Sequence, residues 1–222
     1  MYPSSVITVS KEDYLKAILE AESEGENVIS ATLAHWLSVS APAVTMALRR
    51  LKKDALVNVR LDGRVQLTAE GRKVAQRTVT RHHLIERMLH EVFGMEWYRV
   101  HDEAERLEHA VSAEFEAKLA KKLGTRGACP HGNDAIPESP ASRRKRGLKL
   151  LSEADPDAAY TIRAVYERDR KLLEFLEERG MRPGAKIKLL ARNYDRTLAL
   201  QTASGKVTVG QPVAERVWVA RT

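Results

Sequence analysis

The feature that most limits how this chain can fold lies in its first third, where helical stretches lead into two alternating runs joined by Asp62-Gly63. KEDYLKAILEAE follows Ser10, and Leu15, Ile18 and Leu19 fall on one face of the helix it predicts. Ser30 precedes ATLAHWL and Ser40 precedes APAVTMALRRLKK. A serine at each start offers a hydroxyl to the backbone N–H groups that a first turn leaves unsatisfied. Pro42 fits that first turn because its missing N–H costs nothing there. Val44, Ala47, Leu48 and Leu51 then share one face. Val57 and Val59, and again Val65 and Leu67, alternate with polar residues. Asp-Gly between such runs is the strongest short hairpin signal.

Helices, a turn, a further helix and a hairpin make the order of a winged helix-turn-helix. Its second helix of the pair enters the major groove, about 12 Å wide, with the first residues nearest the base edges. Ser40, Pro42, Ala43, Thr45 and Met46 are those residues here. None offers a bidentate fork to a base, so readout leans on thymine methyls and DNA shape. Arg49 and Arg50, with Lys52 and Lys53, suit phosphate contacts, which set affinity and register. Arg64 at the hairpin tip suits a phosphate or the minor groove. The charge balance agrees with this reading without establishing it: 37 Lys and Arg stand against 30 Asp and Glu, a net of +7.

Beyond the hairpin, Thr68 opens a helical region to about Glu91, and a second long helix is expected from about Tyr98 to Leu123. GTRGACPHGNDAIPESPASRRKRG is rich in Gly, Pro, Ser and Arg and reads as a linker. A strand-like start and a helix ending near Gly180 follow. The runs AKIKLLAR, RTLALQT, KVTV and RVWVA then predict a small β-barrel. The fold class is therefore α+β, mainly α. The expected domains are a winged helix over 1–75, a helical domain over 76–140, a basic linker over 141–150 and a small barrel over 151–222. The one cysteine, Cys129, excludes a disulfide within the chain and suits a reducing cytoplasm. No stretch approaches the roughly 20 apolar residues that cross a bilayer, and the first residues have no signal-peptide core. A cytoplasmic protein without a membrane partner or small-molecule substrate is expected.

The stretch VHDEAERLEHAVSAEF carries different chemistry. On a helical wheel His101, Glu105, Glu108 and His109 occupy one stripe of roughly 100°, beside an apolar stripe of Ala104, Leu107, Val111 and Phe115. Carboxylates and imidazoles crowded at the edge of a buried face repel or lose solvation unless compensated. A divalent cation removes both penalties. His82 and Glu86, one helix earlier, form another i, i+4 pair.

Taken with the winged helix upstream, RHHLIERML, VHDEAERLEH and CPHG resemble the diphtheria toxin repressor family of metal-dependent regulators, nearly end to end. The resemblance implies a winged helix, a helical dimerisation domain carrying metals, and a C-terminal SH3-like (FeoA-like) domain. It implies a primary metal site of Asp13, Glu105, Glu108 and His109. An ancillary site would use His82, Glu86 and His101, joined by Cys129 and His131 of CPHG and by an acid from the SH3-like domain, for which Asp169 is preferred to Glu167. Iron-sensing members resemble one another in placing Met and Cys where this chain has Asp13 and Glu105; manganese-sensing members place carboxylates there. Hard oxygen ligands favour Mn²⁺, with Fe²⁺ the alternative. Lys16 stands where some manganese sensors carry a second carboxylate for a close two-metal site, and a charged lysine cannot ligate. The function implied is metal-dependent DNA-binding transcriptional regulation of metal-homeostasis genes, by a homodimer on an inverted-repeat operator and without enzymatic activity; whether the effect is repression or activation stays open at this level. His35, His83 and His90 read as structural or surface residues.

Three other readings remain open at this level. The chain is a winged-helix regulator whose His/Glu stripe is a solvated face, a small metallohydrolase with Glu105 or Glu108 as base, or an interaction module whose β-rich end docks a peptide. RRKR is either a flexible linker or an extra DNA contact.

Overall fold

The computed structural model describes residues 9–125 and 127–222. They divide into two compact units, one reaching residue 82 and including 136–140, the other comprising 83–135 and 141–222.

The first unit contains α1 (Val9–Ser23), α2 (Ser30–Trp36), α3 (Ala41–Lys53), β1 (Val57–Val59), β2 (Val65–Leu67) and most of α4 (Ala69–Arg87). Leu15, Ile18, Leu33, Leu48, Leu51 and Val65 form its core. Each such side chain contributes roughly 1.5–3 kcal/mol on burial. Ser40 is the N-cap of α3, its Oγ accepting from the Ala43 N–H at 3.4 Å. The other two serines do not cap. Ser10 lies inside α1, and α2 begins at Ser30 itself, with the Ile29 N–H donating to Thr32 Oγ1. β1 and β2 pair antiparallel from Val57↔Leu67 to Val59↔Val65. Gly63 takes φ +81°, and Asp62 Oδ1 accepts from the Arg64 N–H at 3.1 Å. The wing therefore forms at the dipeptide the sequence marks. The first eight residues of the expected 1–75 domain lie outside the described residues.

The second unit opens with the end of α4, which runs on into a turn of π-helix, Met88–Val92. The single helix expected from Tyr98 to Leu123 is instead α5 (Val100–Leu107) and α6 (Ala113–Leu123). Ser112 breaks it: its Oγ accepts from the Phe115 N–H at 3.2 Å and starts a new helix. Ile85, Leu89, Val100, Ala104 and Leu119 pack together.

The segment expected as a basic linker is ordered. α7 (Pro140–Lys145) and β3 (Leu148–Leu150) account for most of it. Arg143 and Arg144 lie over the Trp218 ring at 5.2 and 5.5 Å, and β3 pairs with β8 (Val217–Arg221). Guanidinium stacking on an indole buries the arginine stems, which a flexible linker would leave in water.

The remaining elements are β4 (Ala159–Val165), α8 (Arg170–Glu178), β5 (Lys186–Arg192), β6 (Leu198–Thr202), β7 (Gly205–Val209) and α9 (Gln211–Ala214). The strands form one antiparallel sheet in the order β3-β8-β4-β5-β6-β7, curled over Tyr160, Ile162, Leu173, Leu176, Leu189 and Leu200. The alternating runs anticipate these strands, and the domain they build is the SH3-like one that the family resemblance implies.

Gly132 fixes the turn that carries Cys129 and His131 against β4. It has φ +84°, and a Cβ there would sit 2.0 Å from the Arg163 carbonyl oxygen. Gly132→Ala is expected to destabilise the second unit by about 1–3 kcal/mol, from overpacking and a disfavoured backbone. Urea denaturation followed by tryptophan fluorescence measures it.

Candidate metal centre and DNA-reading helix

On α3 the buried face is Val44, Leu48 and Leu51, so helical periodicity turns Ala43, Met46, Arg49, Arg50 and Lys53 to solvent. Ser40, Pro42 and Thr45 are exposed as well. Met46 is 54% exposed, unusual for so apolar a side chain and suited to a methyl-lined groove wall. Thr45 Oγ1 donates to the Ala41 carbonyl at 3.0 Å. Its hydroxyl is thereby occupied and its methyl left outward. In the wing, Asp62 pairs with Arg64 at 3.4 Å and lies 4.0 Å from Arg60, holding both arginines at the tip.

The second unit gathers a buried polar cluster. α4 contributes His83 and Glu86, α5 contributes His101, the Gly132 turn contributes Cys129 and His131, and the segment after β4 contributes Glu167. Glu86 Oε1 is 3.1 Å from His101 Nδ1 and 3.4 Å from His131 Nδ1. Glu167 Oε2 is 3.4 Å from His131 Nδ1 and 3.3 Å from Cys129 Sγ, whose thiol donates to it. Glu167 Oε1 is 3.6 Å from His83 Nε2. Ligating atoms of His83, Glu86, Cys129 and Glu167 all lie within 4.8 Å of one another. Glu86 and His131 are wholly buried.

Electrostatics explains how such a cluster persists. Burial disfavours a cationic His131, but Glu86 and Glu167 outweigh it and push its pKa up to about 10. Burial also raises Glu167, and Glu86 adds to that, yet hydrogen bonds from His131 and His83 hold it well below the usual carboxylate range. Burial, followed by the charges of Glu167 and Glu86, pushes the Cys129 thiol well up. The proton on the His131 imidazole supplies compensating charge that the carboxylates require, and the neutral Cys129 thiol adds a hydrogen bond. A divalent cation meets the same need, and nitrogen, oxygen and sulfur donors at this spacing fit one. His131 is already oriented for it. Its Nε2–H donates to the Trp97 carbonyl at 2.8 Å, leaving Nδ1 facing the carboxylates.

The structure distributes the expected ligands unevenly. Glu86, His101, Cys129 and His131 come together. Asp169 does not join them: it is the N-cap of α8, its Oδ1 accepting from the Leu172 N–H at 3.1 Å, and Glu167 is the SH3-like domain's carboxylate in the cluster. His83, read from sequence as structural, faces Glu167 within it. Both corrections, the added His83 and the exchange of Asp169 for Glu167, had signals. His83 stands three residues before Glu86, as good a helical spacing as four. Asp169 stands three residues before Leu172 at a helix start, the mark of a cap. His82 is wholly buried in the first unit with Nδ1 3.0 Å from Lys16 Nζ, itself 3% exposed.

In the expected primary set, Glu108 is wholly buried and 3.3 Å from His109 Nε2. Both follow the end of α5, so they are presented by a turn and not by the continuous helical stripe expected. Glu105 is 3.7 Å from His101 Nε2 and 3.7 Å from Arg168. Asp13 lies on α1, half-buried.

Replacing Arg49 and Arg50 together by Gln is expected to weaken DNA binding alike across sequences. The slope of log affinity against log salt should flatten by about 0.9 for each phosphate no longer engaged. Fluorescence anisotropy over a salt series reads this directly.

Three family descriptions cover the chain. Residues 7–64 match the iron dependent repressor N-terminal DNA binding domain, 68–137 the iron dependent repressor metal binding and dimerisation domain, and 149–221 the FeoA domain. A diphtheria toxin repressor of Corynebacterium jeikeium is 32% identical over 202 residues, covering 81% of this chain and 84% of the relative. An iron-dependent repressor IdeR of Mycobacterium leprae is 30% identical over 222 residues, covering 95% and 96%. A solved manganese-dependent transcriptional repressor in complex with manganese superposes with a TM-score of 0.83 at 31% identity, covering 96% of this chain and all of the other. The manganese-activated repressor ScaR, in its apo form, gives 0.78 at 29% identity, covering 95% of this chain and all of the other. The chain belongs to the iron-dependent, diphtheria-toxin-repressor family of metal-dependent DNA-binding transcriptional repressors.

Proposed function

We propose that this protein is a manganese-responsive repressor acting as a cytoplasmic homodimer on an inverted-repeat operator, without enzymatic activity. The reading is carried by one observation: buried carboxylates, imidazoles and a thiol are concentrated in the domain that matches the family's metal-binding description. A divalent ion supplies there the positive charge that protons otherwise supply.

Two ligand sets follow. The ancillary set is Glu86, His101, Cys129, His131 and Glu167, with His83 beside it. Glu86 and Glu167 provide charge, Cys129 and His131 provide softer donors, and the Trp97 carbonyl holds the His131 tautomer. The primary set is Asp13, Glu105, Glu108 and His109, carried over on the residue pattern. Asp13 belongs to the DNA-reading unit, so its participation makes operator affinity depend on the ion. Coupling of this kind is typically about 1–3 kcal/mol, or about 5–150-fold, and it is reciprocal. Carboxylates at Asp13 and Glu105 support manganese, as does the likeness to repressors described as manganese-dependent. Iron(II) is the second reading, favoured by the Cys129 sulfur.

Because His131 and Cys129 carry protons that a cation must displace, metal affinity should fall as pH drops, and loading should release protons. Calorimetric Mn²⁺ titrations in buffers of different ionisation enthalpy measure that release. Glu167→Gln is expected to reduce it at the ancillary set while leaving the fold intact. Asp13→Ala and Glu108→Ala are each expected to abolish the Mn²⁺ dependence of DNA affinity with circular dichroism unchanged. Equal affinity of the unsubstituted protein for operator with and without Mn²⁺ would refute the proposal.

A further inference from the structure

The chain's positive charge is not where a DNA-reading unit alone would place it. Residues 141–222 hold 18 Lys and Arg against 10 Asp and Glu, a net of +8 in a chain whose total is +7. The residues before 141 are thus close to neutral, although they include the winged helix. Within the sheet domain, part of this excess lies on one surface. β5 alternates buried Ile187 and Leu189 with exposed Lys186 and Lys188. Strand register continues the row: Lys188 is paired with Ala159 on one side and Gln201 on the other, and Gln201 with Lys206. Lys186 is paired with Thr161. These rungs contain no carboxylate, and the three lysines make no ion pair among the described residues.

Lys186 and Lys188 are about 7 Å apart along the strand, and Lys188 and Lys206 about 10 Å apart across two strand spacings. Charges this close reinforce one another at physiological salt, where the screening length is about 8 Å. The small neighbours Ala159 and Thr161, and the uncharged Gln201, leave the surface open. Lys206 lies on the edge strand β7, where a charge discourages strand pairing, but β5 is internal and its two lysines have no such use.

We propose that the outer face of β4, β5, β6 and β7 is a second DNA contact, sequence-independent, which binds the phosphate backbone of duplex DNA through Lys186, Lys188 and Lys206. Its occupant follows from charge complementarity in a chain of a DNA-binding family. The three lysines are point charges that engage phosphates and not base edges, so their contribution is affinity and salt dependence.

The test uses the full-length protein with a fluorescein-labelled random-sequence duplex of about 40 base pairs, titrated over a series of KCl concentrations. K186Q/K188Q/K206Q should flatten the log–log slope by about 2–3, because each phosphate engaged contributes about 0.9. An unchanged slope with a native circular dichroism spectrum would overturn the proposal. If the triple variant fails to fold, Lys188→Cys carrying an aryl-azide probe replaces it. Photo-crosslinking to the duplex supports the assignment, and absence of any crosslink overturns it. Phosphatidylserine vesicles form a parallel arm: vesicle binding abolished in the triple variant, with DNA binding intact, would assign the face to a membrane and also overturn it.

Discussion

Two buried carboxylates cannot share a pocket without positive charge, and the second unit is organised around that constraint. Glu86 and Glu167 reach the same imidazole, His131, from α4 and from the end of β4. Desolvation of either anion alone costs several kcal/mol, far more than a surface ion pair returns. The elements around them supply what they need: His101 from α5, His83 from α4, and a thiol and imidazole from a turn that only glycine at 132 permits. Proton-compensated, the cluster is stable enough to fold. In the proposed function, a cation takes the place of those protons.

Under that proposal the same side chains join stability to sensing. A site of carboxylates without histidines would repel itself when empty. A site of histidines alone would hold an ion without the charge matching that favours a divalent one. Mixed donors avoid both outcomes, and the Trp97 carbonyl removes the remaining freedom of His131 by fixing its proton. The DNA-reading helix is built on a different principle. Its buried face is fully apolar, and its exposed face carries methyls, small side chains and arginines. Such a surface gains affinity from phosphates and little sequence discrimination from hydrogen bonds.

Positions 13 and 105 are carboxylates, Asp13 and Glu105, while sulfur stands at Cys129. In the proposed assignment, hard and soft donors therefore belong to different ligand sets. In the Irving–Williams series Mn²⁺ binds more weakly than the later ions, so discrimination rests on donor type and metal availability rather than on affinity alone. Lys16, buried beside His82, places an amine 3.0 Å from His82 Nδ1 within the first unit.

Local chemistry in the sequence was sufficient for the helix face of α3, its Ser40 cap, the Asp62-Gly63 wing and the alternating strands of the last domain, because each is written in periodicity and turn residues a few positions apart. The same spacing marked Glu86 and His101 as ligand types, while Cys129 and His131 came only from the family resemblance of CPHG. Spacing did not separate α5 from α6, since Ser112 is equally a tolerable helix residue until its hydroxyl takes the Phe115 N–H. Nor did it distinguish Glu167 from Asp169, two residues apart and chemically alike. Only the tertiary structure decided that one faces His131 while the other caps α8, because contact across more than thirty residues depends on where β4 ends relative to the Gly132 turn, and no local pattern records that.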